Sequence, residues 1–156
     1  MNPLSEIDKS ILPWLGRSMK MIDLHMADCL AANGMELTKV QLLLLILLRR
    51  ENGQPQNSLA IITNRDKASL ARLINTMERK GFVTRTTSES DRRIKHIHLT
   101  SLGLETLEKA YPVLLKVIST IQVDIDPGDL EIATQVLKKI LANIQSVDAK
   151  LTFKNN

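Results

Sequence analysis

Apolar side chains recur at helical spacing in two stretches near the start of the chain. The first covers residues 11–33, where Pro13 suits the opening turn, and it predicts an amphipathic helix. Thr38 and Gln41 have the T-x-x-Q spacing of a capping box, which predicts the start of a second helix. Because only Gln41 is polar in residues 40–48, we expect this helix to be buried on all sides at the centre of the fold.

A helix-turn-helix pattern follows the polar break at residues 51–55. The sequence predicts a short helix over residues 58–63, a turn, and a longer helix that has Asp66 as its N-cap and ends near Lys80, before Gly81. The apolar positions of the longer helix form a single stripe: Leu70, Leu73, Ile74 and Met77. This spacing indicates that one face of the helix packs on a core and the opposite face is exposed.

Two strands joined by a polar loop come next. Residues 82–86 are rich in aromatic, β-branched and threonine side chains, and residues 95–99 alternate, with Ile97 and Leu99 on one face. The loop between them is polar, so the two strands are predicted to form a hairpin.

Two long helices are predicted to complete the chain. Thr100 caps the first, and Pro112 is expected to kink it. Its predicted inner stripe is Leu104, Leu107, Tyr111, Leu114, Ile118 and Ile121. Asp126 and Pro127 supply the N-cap and the first residue of the last helix, and the tail after Val147 is expected to fray. The apolar residues of the last helix are Leu130, Ala133, Val136, Leu137, Ile140, Leu141 and Ile144.

Composition narrows the class of protein. The 156 residues are 44% hydrophobic but only 3% aromatic, which suits one domain of packed helices with an aliphatic core. The longest apolar run, Leu42 to Leu48, is far shorter than the roughly 18 residues of a membrane span. The start of the chain lacks a secretory signal, and the single cysteine, Cys29, fits a reducing compartment, so we expect a soluble, cytoplasmic protein without a membrane partner.

Positive charge is concentrated in the middle of the chain. The formal net charge is +4, yet residues 65–95 hold nine basic and four acidic residues. The remainder of the chain is therefore slightly acidic. Such a cluster is typical of a surface that binds phosphates, although a merely solvated face would have the same composition.

The exposed face of the longer helix is the predicted DNA-binding surface, because a helix fits the major groove of duplex DNA. Arg72 is central on this face and is the first candidate for a guanine edge or a phosphate. Ser69, Asn75 and Thr76 offer shorter hydrogen bonds, and Lys67 lies in the first turn, close to phosphates. The predicted DNA-contacting residues are Arg65, Lys67, Ser69, Arg72, Asn75, Thr76, Arg79, Asp91, Arg93 and Lys95.

The hairpin loop carries a dense charged group at its tip, Asp91-Arg92-Arg93. A basic tip beside a groove-binding helix can reach the adjacent minor groove, where the negative potential favours arginine. Asp91 is expected to hold the Arg93 guanidinium in place through a bidentate ion pair rather than to contact phosphate itself.

The stretch DKASLARLINTMERKGFVTR, followed by DRRIKHIHLTSLG, resembles the MarR family of winged helix-turn-helix regulators. The wing pattern D-x-R and the closing apolar-x-Leu-Thr and Gly are matched by Asp91, Arg93, Leu99, Thr100 and Gly103. Ala71 departs from the pattern, because many members have a hydroxyl residue there, and this puts one phosphate contact in doubt. The motifs cover residues 65–103, and the order of helices agrees over nearly the whole chain.

The resemblance implies a mainly α (α+β) fold: one domain over residues 1–156, with a winged helix-turn-helix over 36–100 and dimerisation helices over 11–34 and 101–147. It also implies a homodimer on a pseudo-palindromic operator, usually as a repressor, with the D-x-R arginine in the minor groove. Apolar stripes on the terminal helices favour a twofold partner independently, although an intramolecular helical cap is the alternative. Many members release DNA in response to a small aromatic acid or an oxidant.

Three further signals favour packing or surface roles over chemistry. Cys29 is a candidate oxidant sensor, but Asp28 beside it disfavours a reactive thiolate. His96 and His98 share a strand face without further metal ligands nearby in sequence, so no metal site is predicted. Candidates for lining an inducer pocket are Trp14, His25 and Met26, for which core packing is the simpler role.

The sequence thus predicts a sequence-specific regulator of transcription that binds double-stranded DNA and needs no cofactor. Motifs typical of phosphate loops, nucleophile elbows and zinc proteases are absent, so we do not expect an enzyme. Two alternatives use the same fold: a non-specific architectural DNA-binding protein, and a protein-interaction module that has lost DNA binding.

Overall fold

The computed structural model describes the backbone of residues 3–154 and the side chains of residues 4–146. Its elements, in chain order, are α1 (Pro3–Lys9), α2 (Leu12–Ala32), α3 (Lys39–Arg50), β1 (Gln54–Pro55), α4 (Gln56–Ile62), α5 (Lys67–Arg79), β2 (Val83–Thr87), β3 (Lys95–Leu99), α6 (Ser101–Ile121) and α7 (Pro127–Lys154). The chain forms two compact units, one ending at Ile118 and the other beginning at Ser119. The mainly helical winged helix-turn-helix predicted from the sequence is confirmed.

Helix α3 lies at the centre of the first unit and begins as predicted. The Thr38 hydroxyl accepts a hydrogen bond from the Gln41 amide at 3.2 Å, and the Gln41 side chain accepts one from the Thr38 amide at 3.1 Å. This reciprocal capping box lets the polar Gln41 side chain lie buried at the helix start. Burial on all sides was wrong for Leu43, which is 39% exposed in the single chain.

The sheet has three strands in the order β1-β3-β2, all antiparallel. The hairpin of β2 and β3 was predicted, but β1 was missed inside the polar segment before α4. In β1, Gln54 pairs with Ile97 and Pro55 with His96. The Gln54 side chain is buried and donates to the Glu51 carbonyl at 3.2 Å. Gln54 therefore belongs to a strand although its polar side chain had suggested a loop.

The root of the wing is joined to the end of α5 and the start of α6 at Thr100. The Thr100 hydroxyl donates to the Gly81 carbonyl at 2.6 Å and accepts from the Gly103 amide at 2.9 Å, while the Thr100 amide donates to the Phe82 carbonyl at 3.1 Å. Gly81 has a φ of +74°, a left-handed conformation that ends α5 and turns the chain into β2.

The inner face of α6 differs from the predicted stripe. Buried positions on α6 are Gly103, Leu107, Ala110, Val113 and Val117. Of the predicted stripe, Tyr111, Ile118 and Ile121 are exposed in the single chain. The helix carries apolar residues around much of its circumference, and the face that packs on the core is the one formed by Leu107, Val113 and Val117. Pro112 lies within α6, which is assigned as one helix from Ser101 to Ile121.

The terminal helices differ from the sequence expectation in their extents. A short helix, α1, precedes the predicted first helix, and the sequence analysis missed it. Helix α7 starts as predicted, with the Asp126 carboxylate accepting from the Gly128 amide at 2.7 Å. It continues to Lys154, so the helix does not end near Val147, where fraying was expected. The side chains from residue 147 on lie outside the described residues. In the part of the chain that is described, no helix combines the length and apolar character that a membrane crossing requires.

Replacing Gly103 with alanine should destabilise the first unit, because an added Cβ would collide with the Phe82 carbonyl and crowd the Leu99 side chain. We expect Gly103→Ala to lower the free energy of unfolding by roughly 1–3 kcal/mol in urea denaturation. Gly16→Ala is the matched control, since a Cβ there meets nothing within 4 Å and alanine favours a helix. Equal stability of the two variants would contradict this account of the junction.

Candidate nucleic-acid interface

The core orients helix α5. Leu70, Ile74 and Met77 are buried and Leu73 is half-buried, so the predicted inner stripe is correct. The opposite face is open to solvent. Because this stripe fixes the rotation of the helix about its axis, Arg72, Asn75 and Arg79 must lie on the outer face.

The turn between α4 and α5 sets the position at which α5 begins. Asn64 adopts a left-handed φ of +49°, and the Arg65 amide donates back to the Ala60 carbonyl at 2.9 Å. The Asp66 carboxylate then accepts the Ser69 amide at 2.8 Å as the N-cap of α5. This bond from Ser69 holds the pKa of Asp66 below its ordinary value, and the positive charge of Arg72 acts in the same direction.

Two predicted DNA-contacting residues are joined at the start of α5. The Arg65 guanidinium donates to the Ser69 hydroxyl at 2.9 Å, and both residues are half-buried. Lys67 is exposed and lines a surface depression of about 530 Å³ together with Arg65 and Asn57. The basic groups therefore surround the amino-terminal end of α5, where the helix dipole also attracts phosphate.

A shallow groove of about 570 Å³ runs along the outer face of α5, lined by Arg72, Asn75, Thr76, Glu78 and Arg79. Four of these five residues were predicted DNA contacts. The Thr76 hydroxyl donates to the Arg72 carbonyl at 3.1 Å and accepts from Arg79 at 3.3 Å. Thr76 is therefore partly engaged in hydrogen bonds within the helix. The Arg72 guanidinium makes no hydrogen bond or ion pair with the described residues.

Arg85 on β2 belongs to this surface and was not among the predicted site residues. Its guanidinium donates to the Asn75 side-chain oxygen and to the Ala71 carbonyl, the latter at 3.4 Å. It also lies 3.4 Å from the Glu78 carboxylate. In the sequence, only its place within the basic residues 65–95 pointed to Arg85 as a site residue. Its contact with Asn75 joins residues ten positions apart, one on a strand and one on a helix.

The wing tip differs from the prediction in one contact. The Asp91 carboxylate accepts a hydrogen bond from the backbone amide of Arg93 at 2.9 Å, and no ion pair joins Asp91 to the Arg93 guanidinium in the described residues. Asp91 therefore shapes the loop instead of clamping the arginine, so the predicted bidentate pair is wrong. The side chains of Arg92 and Arg93 are exposed, which leaves them accessible to a polyanion.

Asn57 on α4 is a second residue that the sequence analysis missed. It lines the depression beside Lys67 and also a small cleft of about 60 Å³ that contains Arg93 and Lys95. Its side chain is exposed, and these two depressions place it between the amino-terminal end of α5 and the loop end of the wing. Lys95 itself donates to the Thr87 hydroxyl at 2.6 Å across the hairpin.

The residues considered for sensing or metal binding lie away from this surface or in other contacts. The His25 ring lies one helical turn before Cys29, and its Nε2 is 3.6 Å from the Cys29 sulfur. Trp14 is 65% exposed, and Met26 packs against the core. His98 bonds to the Thr86 hydroxyl at 2.9 Å, and the described residues contain no group of three or more metal-ligating side chains.

The geometry of α5 and the wing defines a winged helix-turn-helix protein. The model of the MarR family matches residues 37–95, the part of the chain that holds α3 to β2 and the wing tip. A curated protein of Thauera aromatica, described as a transcriptional regulatory protein for the hcr operon, is 29% identical over 73 residues. That match covers 47% of this chain and 44% of the relative, so the chain aligns with less than half of that protein.

Solved structures match over most of the chain. AbsC, a MarR family transcriptional regulator from Streptomyces coelicolor, is 27% identical with a TM-score of 0.78, covering 89% of this chain and 96% of that protein. A mutant MarR from E. coli in complex with operator DNA is 18% identical with a TM-score of 0.81, covering 90% and 99%. The resemblance to the MarR family is thus confirmed, and the family and these neighbours are regulators of transcription, not enzymes.

The cap at Asp66 should make stability depend on pH in the acid range. Because the folded protein lowers the pKa of Asp66, the ionised cap stabilises α5 above the unfolded pKa of about 3.9, and this contribution is lost as pH falls through the folded value. Asp66→Asn keeps a capping oxygen but does not titrate. We expect the thermal midpoint of the wild type to fall relative to that of Asp66→Asn between about pH 5 and pH 2. Parallel pH profiles for the two proteins would contradict this role.

Proposed function

We propose that this protein is a transcriptional regulator that binds a specific sequence of double-stranded DNA as a homodimer and acts as a repressor. The observation that carries the proposal is the outer face of α5. A helix locked to the core by one stripe presents Arg72, Asn75 and Arg79 along an open groove. Such a face suits the major groove, where base edges offer a distinct pattern of donors and acceptors.

The wing supplies a second contact of a different kind. Exposed Arg92 and Arg93 stand at the tip of the β2–β3 hairpin, and the Asp91 carboxylate fixes the loop by accepting a backbone amide. A minor groove is narrow and strongly negative, so guanidinium groups on a thin projection suit it. Two proteins of similar structure support duplex DNA as the partner: the mutant MarR of E. coli is complexed with operator DNA, and the transcriptional repressor CouR is bound to a 23-mer DNA duplex.

A second copy of the chain is the partner proposed for the terminal helices. In α2, Trp14, Met21 and Leu24 are exposed, and α7 exposes an apolar row. The exposed apolar residues of α7 are Ile132, Val136, Leu137, Leu141 and Ile144. Rows of this length are rare on a monomer surface. A homodimer with a twofold axis would cover them and would place two α5 helices on a pseudo-palindromic operator.

Repression would follow if the bound dimer blocks a promoter. A small ligand is proposed to modulate it, and a cavity of about 520 Å³ offers one place for it. That cavity is lined by residues that include Met35, Lys80, Phe82 and Lys109, and Trp14, His25 and Met26 are not among them. We further propose that such a regulator acts in the cytoplasm.

The DNA-binding proposal is tested by selecting bound duplexes from a random pool. We expect a twofold symmetric motif with half-sites about one helical turn apart. Arg72→Ala should weaken binding to that motif by about 1–3 kcal/mol and relax one base preference, whereas Arg93→Ala should weaken binding with little change in the preferred bases. Arg50→Ala at the end of α3, which removes the same charge from an exposed position outside α5, the wing and the terminal helices, is the control. Recovery of DNA without a motif would favour an architectural protein, and recovery of no DNA would exclude DNA binding.

The homodimer is tested by placing a charge in the apolar row of α7. Leu141 is 60% exposed in the single chain, so Leu141→Asp should leave the protomer folded but raise the dimer dissociation constant by at least about tenfold in sedimentation experiments. Gln135→Asp adds the same carboxylate at an exposed polar position of α7 and is expected to leave the dimer intact. A wild-type protein that sediments as a monomer, or a Leu141→Asp protein that sediments as the wild type, would contradict this interface.

A further inference from the structure

The amide group of Asn75 has a fixed orientation on the outer face of α5. An asparagine side chain carries one acceptor oxygen and one NH₂ group with two donor hydrogens. The Arg85 guanidinium donates to the Asn75 oxygen. Because a guanidinium has donors only, the atom of Asn75 that faces it must be the oxygen, and the NH₂ group must point elsewhere.

The NH₂ group of Asn75 is the end of the amide that remains available to contact DNA. Asn75 is exposed and lines the groove on the outer face of α5, and its NH₂ group donates no hydrogen bond that is recorded within the described part of the chain. Turning the amide over would place these two donors against the donors of Arg85. Asn75 therefore presents donors to the groove for as long as Arg85 stays in place.

Arg85 itself is held by α5 at several points. Its guanidinium donates to the Ala71 carbonyl, lies 3.4 Å from the Glu78 carboxylate, and is only 26% exposed. Its Nε is buried and has no hydrogen-bond partner in the described structure. The contacts of the guanidinium with Ala71 and Glu78 hold it against α5, beside the Asn75 oxygen.

We propose that Arg85 is a positioning residue that makes Asn75 a donor-only contact to DNA bases. The inference rests on the proposed function, in which α5 enters the major groove. A free asparagine pairs with adenine by donating to N7 and accepting from the N6 amino group, which needs both ends of the amide. Arg85 occupies one of the two lone pairs of the Asn75 oxygen and keeps that oxygen directed at β2, so the NH₂ group is the end of the amide left to face a base. Asn75 then selects a base edge that offers acceptors: guanine through O6 and N7, or thymine through O4.

The test compares base preferences of variants by selection from a random duplex pool. Asn75→Ala first identifies the position that Asn75 contacts, as the one whose preference disappears. In the wild type this position should favour guanine or thymine over adenine by about threefold to tenfold. Arg85→Met should free the Asn75 oxygen, and the preference at that position should shift to adenine. Arg50→Met removes the same charge from an exposed position at the end of α3, outside α5 and the wing, and the position should keep its wild-type preference.

Asn75→Asp tests the orientation with Arg85 intact. A carboxylate offers only acceptors, so the preference should move away from guanine and thymine towards cytosine, whose N4 group is a donor. This variant keeps the inference open to test if Arg85→Met fails to fold, which a thermal melt would show.

The outcomes separate this inference from the proposed function. A wild-type motif with adenine at the Asn75 position, no position that depends on Asn75, or an unchanged preference in a folded Arg85→Met would overturn the role of Arg85 while leaving a DNA-binding regulator. Failure of the wild type to select any motif would overturn the proposed function and this inference with it. A shift to adenine at this one position, seen in Arg85→Met and not in the control variant, would support the inference. A general loss of stability would instead weaken all base preferences together.

Discussion

The Thr100 hydroxyl is the point on which the geometry of the winged helix-turn-helix depends. It bonds to the carbonyl that ends α5 at Gly81 and to the first turn of α6 at Gly103, while the Thr100 backbone bonds to Phe82. Three elements thus share one residue. Because the closing strand β3 leads directly into Thr100, the wing, α5 and α6 are joined at one residue, and we expect a displacement of the first turn of α6 to move both the wing and the end of α5.

The charged residues of the outer face differ in whether they contact other protein groups or only solvent. The inner stripe of α5 fixes which residues face outward, and Arg85 from β2 lies beside the Glu78 carboxylate, which would otherwise oppose phosphate. Arg72 and the wing arginines carry no recorded ion pair within the described residues. The same surface therefore holds arginines that donate to protein groups, Arg85 above all, and others that are available to a polyanion, a distinction that net charge alone does not make.

The sequence predicted what local patterns determine. The capping box at Thr38, the N-cap at Asp66 and the stripe of α5 are short-range features, and each is present in the structure. The features that the sequence analysis did not predict are contacts between residues that are distant along the chain. The two-residue strand β1 exists only because β3 is beside it, and Arg85 meets Asn75 only after the hairpin packs on α5. The inner face of α6 was misjudged because apolar residues surround that helix, so periodicity did not determine which of two faces is buried.

The strand β1 has a consequence for how the protein resists aggregation. It covers one edge of β3 at Ile97 and His96, and its second residue, Pro55, has no amide hydrogen to offer to another strand. A strand edge with free donors and acceptors is a template onto which other chains can stack as extended β-structure. β2 forms the other edge of the sheet, so this protection applies to the β1 side alone. Stacking of another chain on β3 at Ile97 and His96 is blocked, and a proline in the covering strand limits further growth of the sheet beyond it.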